Sequence, residues 1–441
     1  MKGPRVDPLG PFTCLRCWCQ DLGGSAGEPR ESDLSTDQSR AGVSGGALYL
    51  GAVAVSTVGS AVGALESTFI STTSSSSAGG LRTAIMLVEL LVFSTLTVPL
   101  VPSLASRVGT RQLYVLTMLG TVVFWCAGGG AILAGLPAYL TMLIVTPLIG
   151  VTLGLTTVLS PLFARQYLGS GTMAGAYARL SVITGLSWGA GALLGGRYFD
   201  HVSSGYGILT RGLLALPLVV VIAVVQPIAG EVQRPSPRSS GVRGVLRDAF
   251  AVNDLRVVIT LSSAVAVFAL PYLSLIVPIA AALRQTPLAS GAGLLMAGTS
   301  VGEIMSPLLV SRLQRRLSAL PAAVAAAAGC AGCLLVFAAV SALTSDEAEL
   351  ALWVAIGIAF GALRYAVKSL ELDAAVNSGV DSTEAVAVVS FAKSAVAPVG
   401  LLLWSVLMWG ASVEFALLVA GVSLLVGCVY VWRMQGKVAG A

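Results

Sequence analysis

Apolar residues come in runs of about 20 or more, separated by short polar breaks, along nearly the whole chain. The runs cover 46–70, 82–104, 112–134, 138–163, 174–199 and 207–229, then 257–282, 288–311, 319–343, 349–370, 384–407 and 413–433. A helix rises 1.5 Å per residue, so about 20 residues cross the roughly 30 Å of a bilayer's hydrocarbon. Strands of a membrane barrel would alternate polar and apolar residues over about ten positions, and no such alternation occurs. The pattern therefore predicts an all-α integral membrane protein of 12 transmembrane helices.

The polar stretches divide the chain further. Residues 1–45 are rich in Gly, Pro, Ser, Asp and Arg without any period, and read as a disordered tail. They lack the basic start, apolar stretch and cleavage site of a secretory signal. Residues 230–256, with Arg234-Pro-Ser-Pro-Arg238 and the amphipathic 241–256, form a linker between six helices (46–229) and six more (257–433). Residues 434–441 form a short tail. Two sets of six suggest an internal repeat, a common plan among secondary transporters.

Composition agrees with a lipid-facing chain. Hydrophobic residues make up 56% and charged ones 11%, against roughly 25% charged in soluble domains. Mean hydropathy is +0.87. The net charge of +5 gives no reason to expect nucleic acid as a partner. Arginine and lysine report topology instead. With the N-terminus inside, Arg107, Arg111, Arg165, Arg179, Arg312, Arg315, Arg316, Arg364, Lys368 and both tails fall on the inner side, as does the linker. Arg82, Arg197, Arg211 and Arg284 fall outside, and Lys393 lies within a helix. The positive-inside rule then puts both termini in the cytoplasm, for a multi-pass protein of the plasma membrane.

Enzyme and metal chemistry find little support. Gly185-Leu-Ser187-Trp-Gly189 and Gly298-Thr-Ser300-Val-Gly302 match G-x-S-x-G, but they lie inside apolar helices rather than at a strand-to-helix turn. The one histidine is His201, and no G-K-[ST] loop for ATP is present. Cys14, Cys17 and Cys19 lack a fourth ligand nearby, so no metal or other cofactor is expected. Cys126, Cys330, Cys333 and Cys428 sit in apolar runs as small hydrophobes.

The loop after the second run, Pro102-Ser-Leu-Ala-Ser-Arg107-Val-Gly109-Thr-Arg111, resembles the signature loop of the major facilitator superfamily. Leu104, Ala105, Arg107, Gly109 and Arg111 match its pattern; Pro102 and Ser106 replace the usual Gly and Asp. Ser311-Arg312-Leu-Gln-Arg315-Arg316 holds the same place in the second half. The resemblance implies two pseudo-symmetric six-helix bundles, with these basic loops acting as cytoplasmic gates. It also implies a small-molecule substrate carried by alternating access, a proton gradient as the driver, and action as a monomer.

The fifth run, Gly185-Leu-Ser-Trp-Gly189-Ala-Gly191-Ala-Leu-Leu-Gly195-Gly196, is similar to the family's fifth-helix motif, with Ala192 where proline is usual. Glycines four apart let a neighbouring helix approach closely. In the family that motif is most typical of proton-exchanging exporters, so the resemblance implies export of a drug, metabolite or sugar. Gly298–Glu303 is loosely similar to helix eight of the sugar-efflux branch. Where many such exporters carry an arginine in helix four, this chain has Thr146. Uptake of a sugar or other nutrient by proton symport is the alternative, and a transporter-like sensor that moves nothing is a third reading.

Charged residues inside apolar spans are expensive and mark functional positions. Glu89, Glu303 and Lys393 are such residues, with Arg364 and Lys368 nearer the cytoplasm and Glu371 and Asp373 at the mouth. Glu303 and Lys393 lie at matched depths, which permits an ion pair, and with Arg364 they are the expected cluster for substrate or proton. A purely structural pair is the equal alternative. Trp125, Trp188, Tyr272 and Trp404 are candidates for lining a cavity, with a lipid-facing or interfacial place the favoured alternative.

Overall fold

Helices follow one another along the whole described chain. A computed structural model describes residues 33–73, 79–168, 173–199, 201, 205–226, 253–282, 288–340, 346–377 and 382–439. The chain divides into two units, 1–43 and 44–441. In the first, the described residues 33–43 are helical. Residues 33–45, expected to belong to a disordered tail, therefore carry regular structure. The last proline of that stretch is Pro29, and beyond it nothing denies the backbone its hydrogen bonds. Cys14, Cys17, Cys19, the Arg234–Arg238 stretch and the amphipathic part of the linker up to residue 252 lie outside the described residues.

Among its described residues the second unit holds twelve long helices. They are α1 (Gly45–Thr73), α2 (Gly80–Val108), α3 (Thr110–Leu133), α4 (Ala138–Leu168), α5 (Met173–Phe199) and α6 (Tyr206–Val224). Then come α7, in the pieces Asn253–Phe268, Pro271–Ser274 and Ile276–Ala282, α8 (Leu288–Gln314), α9 (Ala319–Val340), α10 (Asp346–Asn377), α11 (Ser382–Gly410) and α12 (Val413–Ala439). Eleven of them are long and apolar enough to cross a membrane. The other, α5, has 27 residues and ample length, but its glycines, Ser181, Ser187 and Tyr177 dilute its hydropathy. The bundle's outside is apolar, with Leu96, Ile144, Leu194 and Val426 all more than half exposed, as a lipid-facing surface requires.

The pairings repeat with an offset of six helices. α2 packs on α4 as α8 packs on α10, and α3 packs on α6 as α9 packs on α12. The two halves meet through α5 against α8 and, by the same offset, α11 against α2. Glycines set the contacts of α5. Gly185, Gly189 and Gly196 of α5 lie against α8, while Gly191 and Gly195 of the same helix lie against Val58 and Val62 of α1. Two faces of one helix thus lack side-chain bulk, and each takes a different partner.

Gly109 and Pro271 interrupt the run of helices, each for a backbone reason. Gly109, with φ 92°, makes the one-residue turn between α2 and α3, a conformation that strains any residue with a Cβ. Its N–H closes α2 on the Ala105 carbonyl, 3.0 Å away. In α7, Pro271 has no N–H to give and crowds the preceding turn, so the helix breaks there. Gly400 of α11 comes up against the Val267 backbone just before that break.

Candidate functional site

A cavity of about 340 Å³ lies between the two halves. Trp125, Trp188 and Arg211 wall it from the first half, and the broken part of α7, Met296 and Arg364 from the second. A pocket of about 290 Å³ adjoins it through Leu153, Leu270 and Arg364, and is lined by Ser160, Tyr177, Lys368, Glu371 and Lys393. Another of about 210 Å³ lies within the first half, meeting the central cavity at Trp125, Ile149, Leu153 and Arg211. Apolar side chains from both halves pack together beyond each end. Val62, Leu65 and Phe199 join Ile276 and Val277 on one side. Leu168 and Ala176 join Leu372, Ala385 and Val386 on the other, which is the face of the basic loops. There Tyr177 of α5 stacks on Tyr365 of α10 with ring centroids 5.9 Å apart.

The charges of the second half form two groups. Glu303 pairs with Arg364, not with Lys393. Lys393 instead sits 3.5 Å from Glu371, whose other oxygen is 3.1 Å from Lys368. Matched depth was a poor guide to pairing because α8 packs on α10, whereas α11 packs on α7 and α2. Facing, not height, decides which charges meet. Glu371, expected at the mouth, is only 2% exposed. Leaving any of these charges buried and unpaired would cost several kcal/mol, about 3–5 when a partner is removed, and each carboxylate here has a cation. The group holds Arg364, Lys368 and Lys393 against Glu303 and Glu371, so one positive charge is left over. The Arg364 side chain is 40% exposed and that of Glu303 15%, so the cation is the more accessible member of its pair.

The first half holds charges that sequence reasoning missed. Arg211, counted with the outer side, lies inside α6 and lines two of the cavities. Its guanidinium sits over the Trp125 ring, 3.8 Å from the centroid. Gly59 and Gly63 of α1 make room for it, since a Cβ at either position would run into the Arg211 side chain or backbone. No ion pair involves Arg211 among the described residues, and its Nε is buried without a hydrogen-bond partner. A cation over an indole gains about 2 kcal/mol when desolvated, less than the several kcal/mol that burial of a cation costs. Glu66, also unforeseen, is 1% exposed and accepts the backbone N–H of Gly205 at the start of α6. The positive end of a helix suits a carboxylate, which makes Glu66 a cap rather than a partner for Arg211. Glu89 lies on α2 beside Leu90 of the cavity wall, with its Oε2 buried and without a partner. Trp125 and Trp188 line the cavity, and Tyr272 and Trp404 are fully buried, so none of the four takes the favoured lipid-facing place.

No protein-family model matches the sequence, and no curated protein does. Solved structures do resemble this one. The nucleoside transporter NupG superposes with a TM-score of 0.65 at 11% identity, over 88% of this chain and 99% of that one. The xylose transporter XylE from E. coli, in a partially occluded inward-open conformation, gives 0.62 at 14% identity, over 87% and 97%. The human organic anion transporter MFSD10 (TETRAN) gives 0.58 at 13% identity, over 89% and 99%. The fold is that of the major facilitator transporters.

Within the major facilitator fold, the basic loops lie at one face and behave differently from one another. Arg107, Arg312, Arg315 and Arg316 are exposed. Arg111 donates from Nε to the Ile222 carbonyl at 2.9 Å, and from Nη2 to the carbonyls of Ala223 and Val225 at 2.9 and 3.1 Å. Tyr167 donates to the same Val225 carbonyl at 2.8 Å. These bonds close the C-terminal end of α6, whose last carbonyls have no partner in the helix itself. No metal-binding group of His, Cys, Asp and Glu occurs among the described residues.

Proposed function

We propose that this protein is a secondary active transporter that carries a small organic molecule across the membrane by alternating access, coupled to protons. The observation that carries the reading is the cavity between the two halves, with Arg364 and Glu303 on its wall. Alternating access needs a site that both halves share and that either end can seal, and broken helices commonly line such sites. The break in α7 at Pro271 meets that description. Glu303, Arg364 and Lys393, with Lys368 and Glu371, would bind substrate or carry the proton, and Glu89 is a further candidate. The protein would act as a monomer in the plasma membrane with both termini in the cytoplasm.

Export is the proposed direction, on the resemblance of the α5 glycines to exporters. One observation supports the alternative of uptake by symport. Protonating Glu303 would free Arg364, so a proton and an acidic substrate would favour each other's binding, as symport requires. Accumulation of drugs, dyes and sugars in an efflux-deficient host separates these readings. Lower accumulation that an uncoupler and Glu303→Gln both reverse supports proton-driven export. Higher accumulation supports symport. No change across the panel, with folded protein in the membrane, would overturn both and leave the sensor.

A further inference from the structure

We propose that the central cavity selects small organic anions, with a carboxylate or similar acidic group held by Arg211 and an apolar body against the facing walls. The inference rests on the transport reading for its purpose but not for its chemistry. Arg211 comes from α6 of the first half and shares the cavity with Arg364 of the second. Arg364 has Glu303; among the described residues Arg211 forms no ion pair. Glu66, a buried carboxylate on α1, accepts the Gly205 N–H at the head of α6 through its Oε1.

Among the residues that line the cavity, the buried side-chain atoms without a hydrogen-bond partner are donors; Glu66 Oε2 and Glu89 Oε2, acceptors without one, belong to residues outside its lining. Arg211 Nε and Trp125 Nε1 are both buried without hydrogen-bond partners. Guanidinium and indole nitrogens donate and never accept. What the site lacks is therefore an acceptor, and an anion supplies acceptors and neutralises the cation together. A sugar hydroxyl accepts but leaves the cation without a counter-charge, and an ammonium brings only donors and a second positive charge. The remaining wall is mainly aliphatic and aromatic, with Met86, Leu90, Ile149, Trp188 and Met296 among its members. An acidic head on an apolar body fits such a wall better than a polyol or a dianion does. The volume, about 340 Å³, lies at the low end of small-molecule sites.

The second half extends the same polarity toward the basic face. Lys368, Lys393 and Glu371 line the adjoining pocket and together carry one positive charge. An anion leaving the central cavity on that side meets net positive charge along its way.

A charge series on one apolar body tests this. Full-length protein in lipid nanodiscs is titrated with 2-naphthoate, 2-naphthamide and 2-naphthylmethylammonium, following binding by calorimetry. The anion should bind at least ten times tighter than the amide, and the ammonium weaker still. Arg211→Gln should weaken the anion at least tenfold and leave the amide unchanged, and Arg211→Lys should retain part of the preference. Equal affinities across the wild-type series, including no binding of any member, would overturn the proposal without recourse to a variant. So would unchanged anion affinity in folded Arg211→Gln. Flux of the same three compounds into proteoliposomes keeps the two readings apart. Anion binding without flux would sink transport and spare the anion site; flux without charge preference would do the reverse.

Discussion

Gly302 of α8 and Gly361 of α10 meet backbone against backbone, and that contact sets Glu303 beside Arg364. Gly298 and Gly357 make the same kind of contact one turn away. Each helix thus carries glycines four apart on the face it turns to the other, the spacing that allows closest approach in membranes. The ion pair on the cavity wall depends on this absence of side chains.

Gly361→Ala should therefore lower stability by roughly 1–3 kcal/mol, because its new Cβ meets the backbone of Gly302 and Glu303 and cannot be relieved by a rotamer. Gly329→Ala on α9 is the matched control, since nothing lies within 4 Å of a Cβ there. That change should be neutral or gain up to about 1 kcal/mol of helix propensity. Reversible unfolding in mixed micelles measures both.

Glu303→Gln and Arg364→Gln should each destabilise the protein, and together cost less than their sum. The coupling in a double-mutant cycle should be roughly 0.5–3 kcal/mol, the range for residues in contact. Pairing Glu303→Gln with Lys393→Gln should give additive effects, because these two do not meet. Coupling there instead would restore the pairing expected from depth.

Glu371 lies between Lys368 and Lys393, so removing one lysine should be tolerated far better than removing both. Lys368→Met with Lys393→Met strands a buried carboxylate, at about 3–5 kcal/mol. Expression and monodispersity after detergent extraction report this directly.

Arg111→Ala should destabilise by about 1.5–3 kcal/mol, the scale of a hydrogen bond from a charged group, by freeing the carbonyls at the end of α6. Arg107→Ala, at an exposed site, should stay within about 0.5 kcal/mol. If both changes slowed transport equally while leaving stability alone, the two would share a gating role instead.

Glu66→Ala should cost about 1–2 kcal/mol, as loss of a helix cap does, while leaving the proton dependence of transport unchanged. A shifted pH profile would instead place Glu66 among the coupling groups.

The apolar runs alone determined that the chain is a bundle of long helices, because a 20-residue stretch without charge has few stable forms outside lipid. The repeat of basic loops after the second and eighth runs pointed to the major facilitator fold, and the charged residues of α8, α10 and α11 were visible as exceptions within those runs. Even α5 was legible, though it is the one of the twelve not apolar enough along its length to count as a crossing helix. Pairing was not legible. Sequence reports a residue's height in the membrane, at 1.5 Å per position, but not which neighbour its helix faces. Glu303 meets Arg364 and Lys393 meets Glu371 because of how α8, α10 and α11 rotate against one another, which glycines on separate helices decide jointly. Arg211 was hidden for a related reason. It lies close enough to the start of α6 to be counted with the outer side, and only the gap left by Gly63 on α1 shows where its side chain goes. The fold follows from each segment's affinity for lipid, which is local. The site follows from contacts between segments far apart in the chain, and these exist only once the helices have packed.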